Sequence, residues 1–351
     1  MSKVRLLIIG TGAMAKAHAE AFVPNPDCDV VAAVDTNAER LTEFCKEHGI
    51  PNQFASLDDA LAWGEFDAAT NVTPDPVHYR TTMPLIAAGK HVLCEKPLAV
   101  NAQDATDMAD AAEKAGIVNM VNLTYRNGAG LTYAANMVAQ GLIGEVRHFE
   151  AAYLQSWLTQ AAWGDWRTEE TWLWRLSTEH GSKGVLGDIG VHIVDFATFV
   201  AGSNVSDLSC RQTTFHKAEN DQIGEYKLDA NDSFNMHVSL ENGATGVIHA
   251  SRFASGHLND LSLRIYGTKG AIAVQDIDLH SSIRVSIGED MPKAVWRDVD
   301  LEDNPSNFDR FIAAVQAKSQ VQPDFRHGAT LQKVLDRAEE SNAQRSCVMS
   351  V

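Results

Sequence analysis

Through its first 123 residues the chain alternates short apolar runs with longer amphipathic stretches. Val4–Ile9 is an apolar run that leads into a glycine-bearing turn and a helical pattern ending near Phe22. Apolar runs recur at residues 30–34, 67–73, 91–95 and 118–123, and helical patterns at Ala38–His48, 77–88 and Ala102–Ala115. Strand-like runs that alternate with helix-like ones predict a parallel sheet with helices on both faces. The runs are continuously apolar, as expected of strands buried on both sides.

Beyond residue 123 the pattern changes. Residues 130–140 have a helical period and 145–154 alternate like a strand. From 205 to 274 longer alternating runs are punctuated by hairpin signals. Glu241-Asn242-Gly243 separates 234–240 from 244–250, and Gly267-Thr268-Lys269-Gly270 separates 261–266 from 271–274. Residues 184–195 lead into an apolar helix ending near Val200, and 307–318 and 330–342 read as closing helices. The expected fold is α/β: a doubly wound parallel sheet over residues 1–123, then an α+β domain over 124–351 with a large, mostly antiparallel sheet.

Composition narrows the class. The chain has 351 residues, 45% of them hydrophobic, enough for two full cores. Its 46 acidic against 29 basic residues give a net charge of −17, which repels phosphate backbones and anionic lipid. Neither a nucleic acid nor a membrane partner is expected, and no apolar run approaches the ~20 residues of a spanning helix. Met1-Ser2-Lys3 passes straight into a strand pattern without the length or cleavage site of a secretory leader. Five scattered cysteines with no CxxC pair fit thiols in a reducing compartment. A cytoplasmic protein is expected.

Gly10-Thr11-Gly12-Ala13-Met14-Ala15 follows an apolar strand and opens a helix, a G-x-G-x-x-A fingerprint. The first glycine permits the tight turn, the second lets backbone approach a pyrophosphate, and Ala15 lets helix and strand pack closely. The helix N-terminus adds unpaired N–H groups and the positive end of its dipole. Asp35 closes the next strand, where a carboxylate can accept both ribose hydroxyls of NAD and repel the 2′-phosphate of NADP. Thr36 and Asn37 follow, with no adjacent arginine. NAD is therefore expected over NADP.

Other candidates sit at strand ends, where open α/β sheets gather ligands. Glu95-Lys96-Pro97 ends the expected strand at 91–95. An ammonium there can stabilise a developing alkoxide, Glu95 can orient it, and a cis bond at Pro97 can fix the turn. The alternative is an ordinary surface lysine. Asn71, Thr73 and Pro74 end another strand, and His78 begins the next helix; they are read as cofactor contacts or as turn chemistry. Asp188 and His192 lie four apart, on one face of a helix, with Asp195 close to that face. The pair can act as an acid–base unit, or be a helix cap and a core histidine. No dense His/Cys/Asp cluster accompanies it, so no metal is expected. Tyr153, Gln155 and Trp157 share one face of an extended strand and are candidate substrate contacts. Trp163, Trp166, Trp172 and Trp174 could stack on sugar faces or fill core.

Together these segments resemble the Gfo/Idh/MocA family of oxidoreductases over nearly the whole chain. The carriers are Gly10–Ala15, Glu95-Lys96-Pro97, Trp174-Arg175, Gly184 through Asp195, and the Gly267–Gly270 hairpin. The resemblance implies that Lys96, Asp188 and His192 are catalytic, and that Trp174 and Arg175 approach the nicotinamide. It implies an NAD-dependent dehydrogenase acting on a secondary hydroxyl of a sugar or polyol, in a homodimer or homotetramer built through the C-terminal sheet. NAD-assisted glycoside cleavage and a non-catalytic dinucleotide sensor are alternatives on the same fold. Gly181-Ser182-Lys183-Gly184 departs from the family's usual glycine-rich approach by placing a charge there.

Overall fold

The computed structural model describes residues 2–351; Met1, where the first expected domain begins, lies outside the described residues. The chain forms two compact units, one of residues up to Thr124 with Pro305–Gln332, the other of Tyr125–Asn304 with Lys333–Val351.

The first unit runs β1 (Val4–Ile9), α1 (Ala13–Phe22), β2 (Cys28–Val34), α2 (Ala38–His48), β3 (Asn52–Phe54), α3 (Leu57–Trp63), β4 (Ala68–Asn71), α4 (His78–Ala87), β5 (His91–Cys94), α5 (Ala102–Ala115) and β6 (Asn119–Val121). Its six strands lie in the order β3-β2-β1-β4-β5-β6, and every neighbouring pair is parallel. The strand order reverses between β1 and β4, which is where such sheets open a ligand crevice. β1 is apolar apart from Arg5 near its start because both its faces are covered: Leu6, Leu7 and Ile8 have no exposed surface. β3 and α3 escaped the sequence pattern, being three and seven residues long.

In the second unit come α6 (Ala129–Ala139), β7 (Val146–Gln155), the short α7 (Glu170–Leu173), α8 (Val191–Ala201), β8 (Val205–Thr213), β9 (Gln222–Ile223), β10 (Tyr226–Lys227), β11 (Ser233–Leu240), β12 (Thr245–Ser251), β13 (Asn259–Gly267), β14 (Gly270–Ile277), β15 (His280–Ile287) and β16 (Arg297–Asp298). The chain ends with α9 (Asn307–Ala317), α10 (Phe325–Ala343) and β17 (Met349–Ser350). A nine-stranded sheet has the order β16-β15-β14-β13-β7-β12-β11-β8-β17. All its neighbours are antiparallel except β7 with β12, so the sheet is mixed but mostly antiparallel. Both hairpins expected from glycine signals are present, as β11–β12 and β13–β14.

α9 belongs to the first unit, where Phe311, Ile312 and Val315 complete a core with Val4, Phe22, Leu93 and Met120. Its N-terminus carries a capping box between Ser306 and Asp309. Asn307, at its first turn, donates to Asn122 Oδ1 and the Leu123 carbonyl at 3.1 and 3.0 Å.

Candidate functional site

In the first unit the glycine turn is a steric necessity. Gly10 has φ +88°, and a Cβ there would sit 2.7 Å from the Val72 carbonyl oxygen. Gly12 caps α1 in extended conformation with open space where a Cβ would be. No side chain caps that helix end and its first turn has no acid, which leaves a cradle suited to an anion. Ala15 is fully buried beside Ile8, Ala33 and Val72, the close packing its small side chain permits. Ala13 and Met14 are exposed.

Thr11 lies beneath this turn. Its N–H and hydroxyl both donate to Asp35 Oδ2 at 2.8 Å. Asp35 also accepts from the Asn37 N–H at 2.8 Å and from Arg40 Nη2 at 2.8 and 2.9 Å. Burial alone would raise this carboxyl; the Asn37 and Thr11 donors, with Arg40, outweigh it and hold the group below the ordinary carboxylate range. The expectation that no arginine stands beside Asp35 is thus corrected. Only residues 36 and 37 follow directly, but the first turn of α2 folds Arg40 back onto the carboxylate.

The β4 end proves to be internally bonded. Asn71 is fully buried, donates to Thr81 and Thr82 hydroxyls at 2.8 Å, and accepts from Thr73 N–H and Oγ at 3.2 and 2.7 Å. It shapes the turn rather than offering its amide to a cofactor. His78 is also fully buried, with Nδ1 2.8 Å from the Pro97 carbonyl and Nε2 2.7 Å from the Thr73 carbonyl. Its expected role as a cofactor contact is therefore corrected: both ring nitrogens are spent on backbone. Thr73 is half-buried and Pro74 exposed, so the edge of this turn remains accessible.

At the end of β5, the Lys96–Pro97 bond is cis and Lys96 is half-buried. The Lys96 N–H donates to Glu95 Oε2 at 3.2 Å. Glu95 is 7% exposed and both its carboxylate oxygens are bonded within the first unit, which leaves it behind the lysine turn. Its Oε1 lies 2.7 Å from His18 Nε2 and accepts from Asn122 Nδ2 at 2.7 Å; His18 Nδ1 in turn lies 2.7 Å from the Thr70 hydroxyl. Burial pushes this carboxyl up, but His18, Asn122 and the Lys96 charge prevail and hold it at about 2. His18, on the helix behind the glycine turn, and Asn122 were not singled out by sequence. A histidine on the apolar face of an alanine-rich helix was the available signal.

The second unit places Asp188 in a π-helical turn, Leu186–Gly190, that runs directly into α8. The α-helical four-residue spacing assumed from sequence does not hold across this wider turn. Gly184 starts the segment with φ +66°, and a Cβ there would strike the Asn231 amide at 2.3 Å. Asp188 Oδ2 accepts from Arg252 Nη2 at 2.9 Å and lies 3.9 Å from Arg175 Nε. Arg252 Nη1 donates to the Arg175 carbonyl at 3.1 Å, and its guanidinium lies 5.0 Å from the Trp157 ring centroid. Arg175 in turn lies over exposed Trp174, 4.6 Å from the centroid. One fully buried arginine thus gathers Asp188, Arg175 and Trp157. Sequence reasoning missed it, although a charge at an inward-facing position just past β12 was a signal.

His192, nearly buried, lies edge-on to Tyr125 at 5.0 Å and near Tyr153 at 6.5 Å between ring centroids. Tyr125, Tyr153 and Asn259 close a hydrogen-bonded ring. Asn259 donates to Tyr125 at 2.7 Å, Tyr125 bonds Tyr153, and Tyr153 donates to Asn259 Oδ1 at 2.6 Å. Gln155 Nε2 also donates to Asn259 Oδ1, at 2.9 Å, and Trp157 Nε1 donates to Gln155 Oε1 at 3.2 Å. The three expected substrate contacts Tyr153, Gln155 and Trp157 do lie together, but buried and bonded within the protein, so they back the site rather than face a ligand. Asp195 is taken by Arg126 in a buried bidentate pair at 2.9 and 2.6 Å. Trp157 and Trp166 are core, with Trp163 and Trp172 packed partly buried against them. Lys183 directs its ammonium to Glu339, 3.7 Å away. Among the described residues no cluster of three or more His, Cys, Asp or Glu could hold a metal.

Two family models match the chain: the oxidoreductase family, NAD-binding Rossmann fold, over residues 4–123, and the GFO/IDH/MocA C-terminal domain over residues 131–273. The chain belongs to the Gfo/Idh/MocA oxidoreductase family. Among curated relatives of this Gfo/Idh/MocA protein, levoglucosan dehydrogenase of Pseudarthrobacter phenanthrenivorans is 26% identical over 311 residues, 83% of this chain and 78% of the relative. Inositol 2-dehydrogenase of Rhizobium meliloti is 24% identical over 97% of this chain and 98% of its own. Among solved structures, an oxidoreductase domain protein from Kribbella flavida superposes with TM-score 0.87 at 28% identity, covering 100% of both chains. Levoglucosan dehydrogenase in complex with NADH gives TM-score 0.86 at 25% identity over 100% of this chain and 99% of that one. The protein is an oxidoreductase whose first domain binds NAD. Its own residues fit that cofactor: the open Gly12 side of α1 suits the pyrophosphate, and Asp35 closes β2 where the ribose is read.

Proposed function

We propose that this Gfo/Idh/MocA protein is an NAD-dependent dehydrogenase that reversibly oxidises a secondary hydroxyl of a sugar, cyclitol or sugar derivative. Curated relatives carry names of enzymes acting on levoglucosan and inositol. The observation that carries the reading is Lys96, held half-buried at the end of β5 by its N–H on a buried, ionised Glu95. A half-buried lysine at that strand end stands where dinucleotide sheets gather their ligands, and its ammonium can stabilise a developing alkoxide.

Bound NAD supplies the hydride acceptor. His192 takes the hydroxyl proton as general base, its ring plane fixed by Tyr125. Lys96 stabilises the oxygen as negative charge grows on it. Asp188, anchored by Arg252, orients the substrate or His192, and Arg175 and Trp174 border the nicotinamide end. Gly10, Thr11, Gly12, Ala13 and Met14 form the phosphate-binding turn. The cofactor domain expected over residues 1–123 also takes in 305–332, and the rest of 124–351 serves as the substrate and self-association domain, with a homodimer or homotetramer formed through the large sheet. The enzyme works in the cytoplasm.

A panel of sugars and polyols assayed with NAD for NADH absorbance tests the activity. Lys96→Ala and His192→Ala are each expected to lower turnover by about 10²–10⁴-fold with NAD binding retained. Turnover unchanged in both refutes the assignment.

A further inference from the structure

We propose that His78 is a doubly protonated, buried latch that ties the turn after β4 to the Lys96–Pro97 turn after β5 and so positions Lys96. Its two ring nitrogens meet the Pro97 carbonyl at 2.8 Å and the Thr73 carbonyl at 2.7 Å. A carbonyl oxygen only accepts hydrogen bonds. A neutral imidazole has one N–H, so one of these two contacts would set a nitrogen lone pair against an oxygen lone pair at hydrogen-bond distance. Only the imidazolium donates to both. Charge-assisted bonds of this kind are the stronger ones, and they are shielded here because His78 has no exposed surface.

The charged and titratable surroundings agree with this state on balance. Burial disfavours the charge, as does the position of His78 at the positive end of α4. The Cys94 sulfur on β5, the Asp75 carboxylate in the preceding turn and the Pro97 carbonyl favour it, and together raise the group to about 10.

The geometry gives the latch its use. Thr73 stands at the end of β4 and is fixed by Asn71. Pro97 directly follows Lys96. His78 therefore fixes the Pro97–Leu98 peptide, one residue beyond the lysine, while Glu95 fixes the lysine's own N–H. Losing one proton from His78 would release one of the two turns. His78 is a positioning residue, since it touches Lys96 only through Pro97. The latch stands independently of the dehydrogenase reading, and its catalytic use rests on that reading.

Two measurements on the full chain test it, and neither uses turnover, so their failure is distinct from failure of the proposed activity. Multiple-bond ¹H–¹⁵N spectra of histidine-labelled protein, with His78 assigned by its contacts to Thr73 and Pro97, are expected to show both ring nitrogens protonated from pH 6 to 9. A bare ring nitrogen on His78 at pH 7 overturns the latch. Competitive acetylation with acetic anhydride then compares Lys96 with Lys90 as an internal standard. In His78→Gln, whose donors sit on a single nitrogen and cannot span both carbonyls, the Lys96:Lys90 labelling ratio should change by at least about threefold, the effect of half a pKa unit. An unchanged ratio overturns the positioning role. If His78→Gln fails to fold, the same ratio in His78→Asn, which also carries its donors on a single nitrogen, decides the point.

Discussion

Glu95→Gln tests how much of the first unit's stability is invested in holding Lys96. The carboxylate is 7% exposed and bonded to His18, Asn122 and the Lys96 N–H. Its pKa of about 2 lies below the ordinary 4.5, so the folded state binds this proton more weakly than the unfolded state. The stabilisation is therefore complete above 4.5 and is lost as pH falls from there through about 2. At about 1.36 kcal/mol per pH unit this corresponds to about 3 kcal/mol at pH 7, with roughly half of it gone by pH 3. The substituted amide would be neutral at every pH and would turn one N–H toward His18, Asn122 or the Lys96 N–H, leaving donors facing each other. Urea unfolding of both proteins at pH 7 and pH 3, followed by a probe in the first unit, reads the difference directly. Other carboxylates cancel because both proteins carry them. The gap between wild type and variant should shrink by about half on acidification. A gap that stays constant or widens at low pH would refute the reasoning, because it would show that Glu95 is not held ionised by its partners.

Gly12→Ala meets no protein atom, so it should leave the melting temperature unchanged while weakening NAD about tenfold or more in calorimetry; unchanged affinity would remove the anion cradle. Gly10→Ala should lose both, since a left-handed residue costs about 1–2 kcal/mol before the clash with the Val72 carbonyl is relieved. Arg252→Met removes the anchor of Asp188 and the Arg175 carbonyl, and should lower turnover about ten- to a hundredfold with NAD affinity intact; Arg252→Lys, able to keep only one of the two bonds, should fall between. Arg40→Ala uncovers Asp35 and removes the nearby cation that could meet a 2′-phosphate. The ratio of NADP to NAD dissociation constants should rise, and an equal ratio in both proteins would show that Arg40 takes no part in selection.

Residues whose role follows from backbone shape were legible, and residues whose role depends on a distant partner were not. Gly10 could be read because only a glycine tolerates its turn, and the β–α alternation because each strand must bury both faces. Asn71 and His78 stand at strand and helix ends in the expected places, yet nothing local says whether such a side chain turns toward a ligand or back onto its own loop. Glu95 meets His18 across 77 positions of sequence, and Arg252 meets Asp188 across 64. Those distances are set by the order of strands in the two sheets, which periodicity does not specify. The π-helical turn at Asp188 shows the same limit at short range: α-helical spacing is a default, and Gly187, where a Cβ would lie 2.2 Å from that of Lys183, is what lets the chain depart from it. In each unit one half-buried side chain expected at the site has a fully or nearly buried group of opposite charge behind it: Glu95 behind Lys96, Arg252 behind Asp188. A buried charge survives only with a partner. Charged residues at inward-facing positions of strands and helices are therefore the places in such a sequence to look for the groups that aim a site.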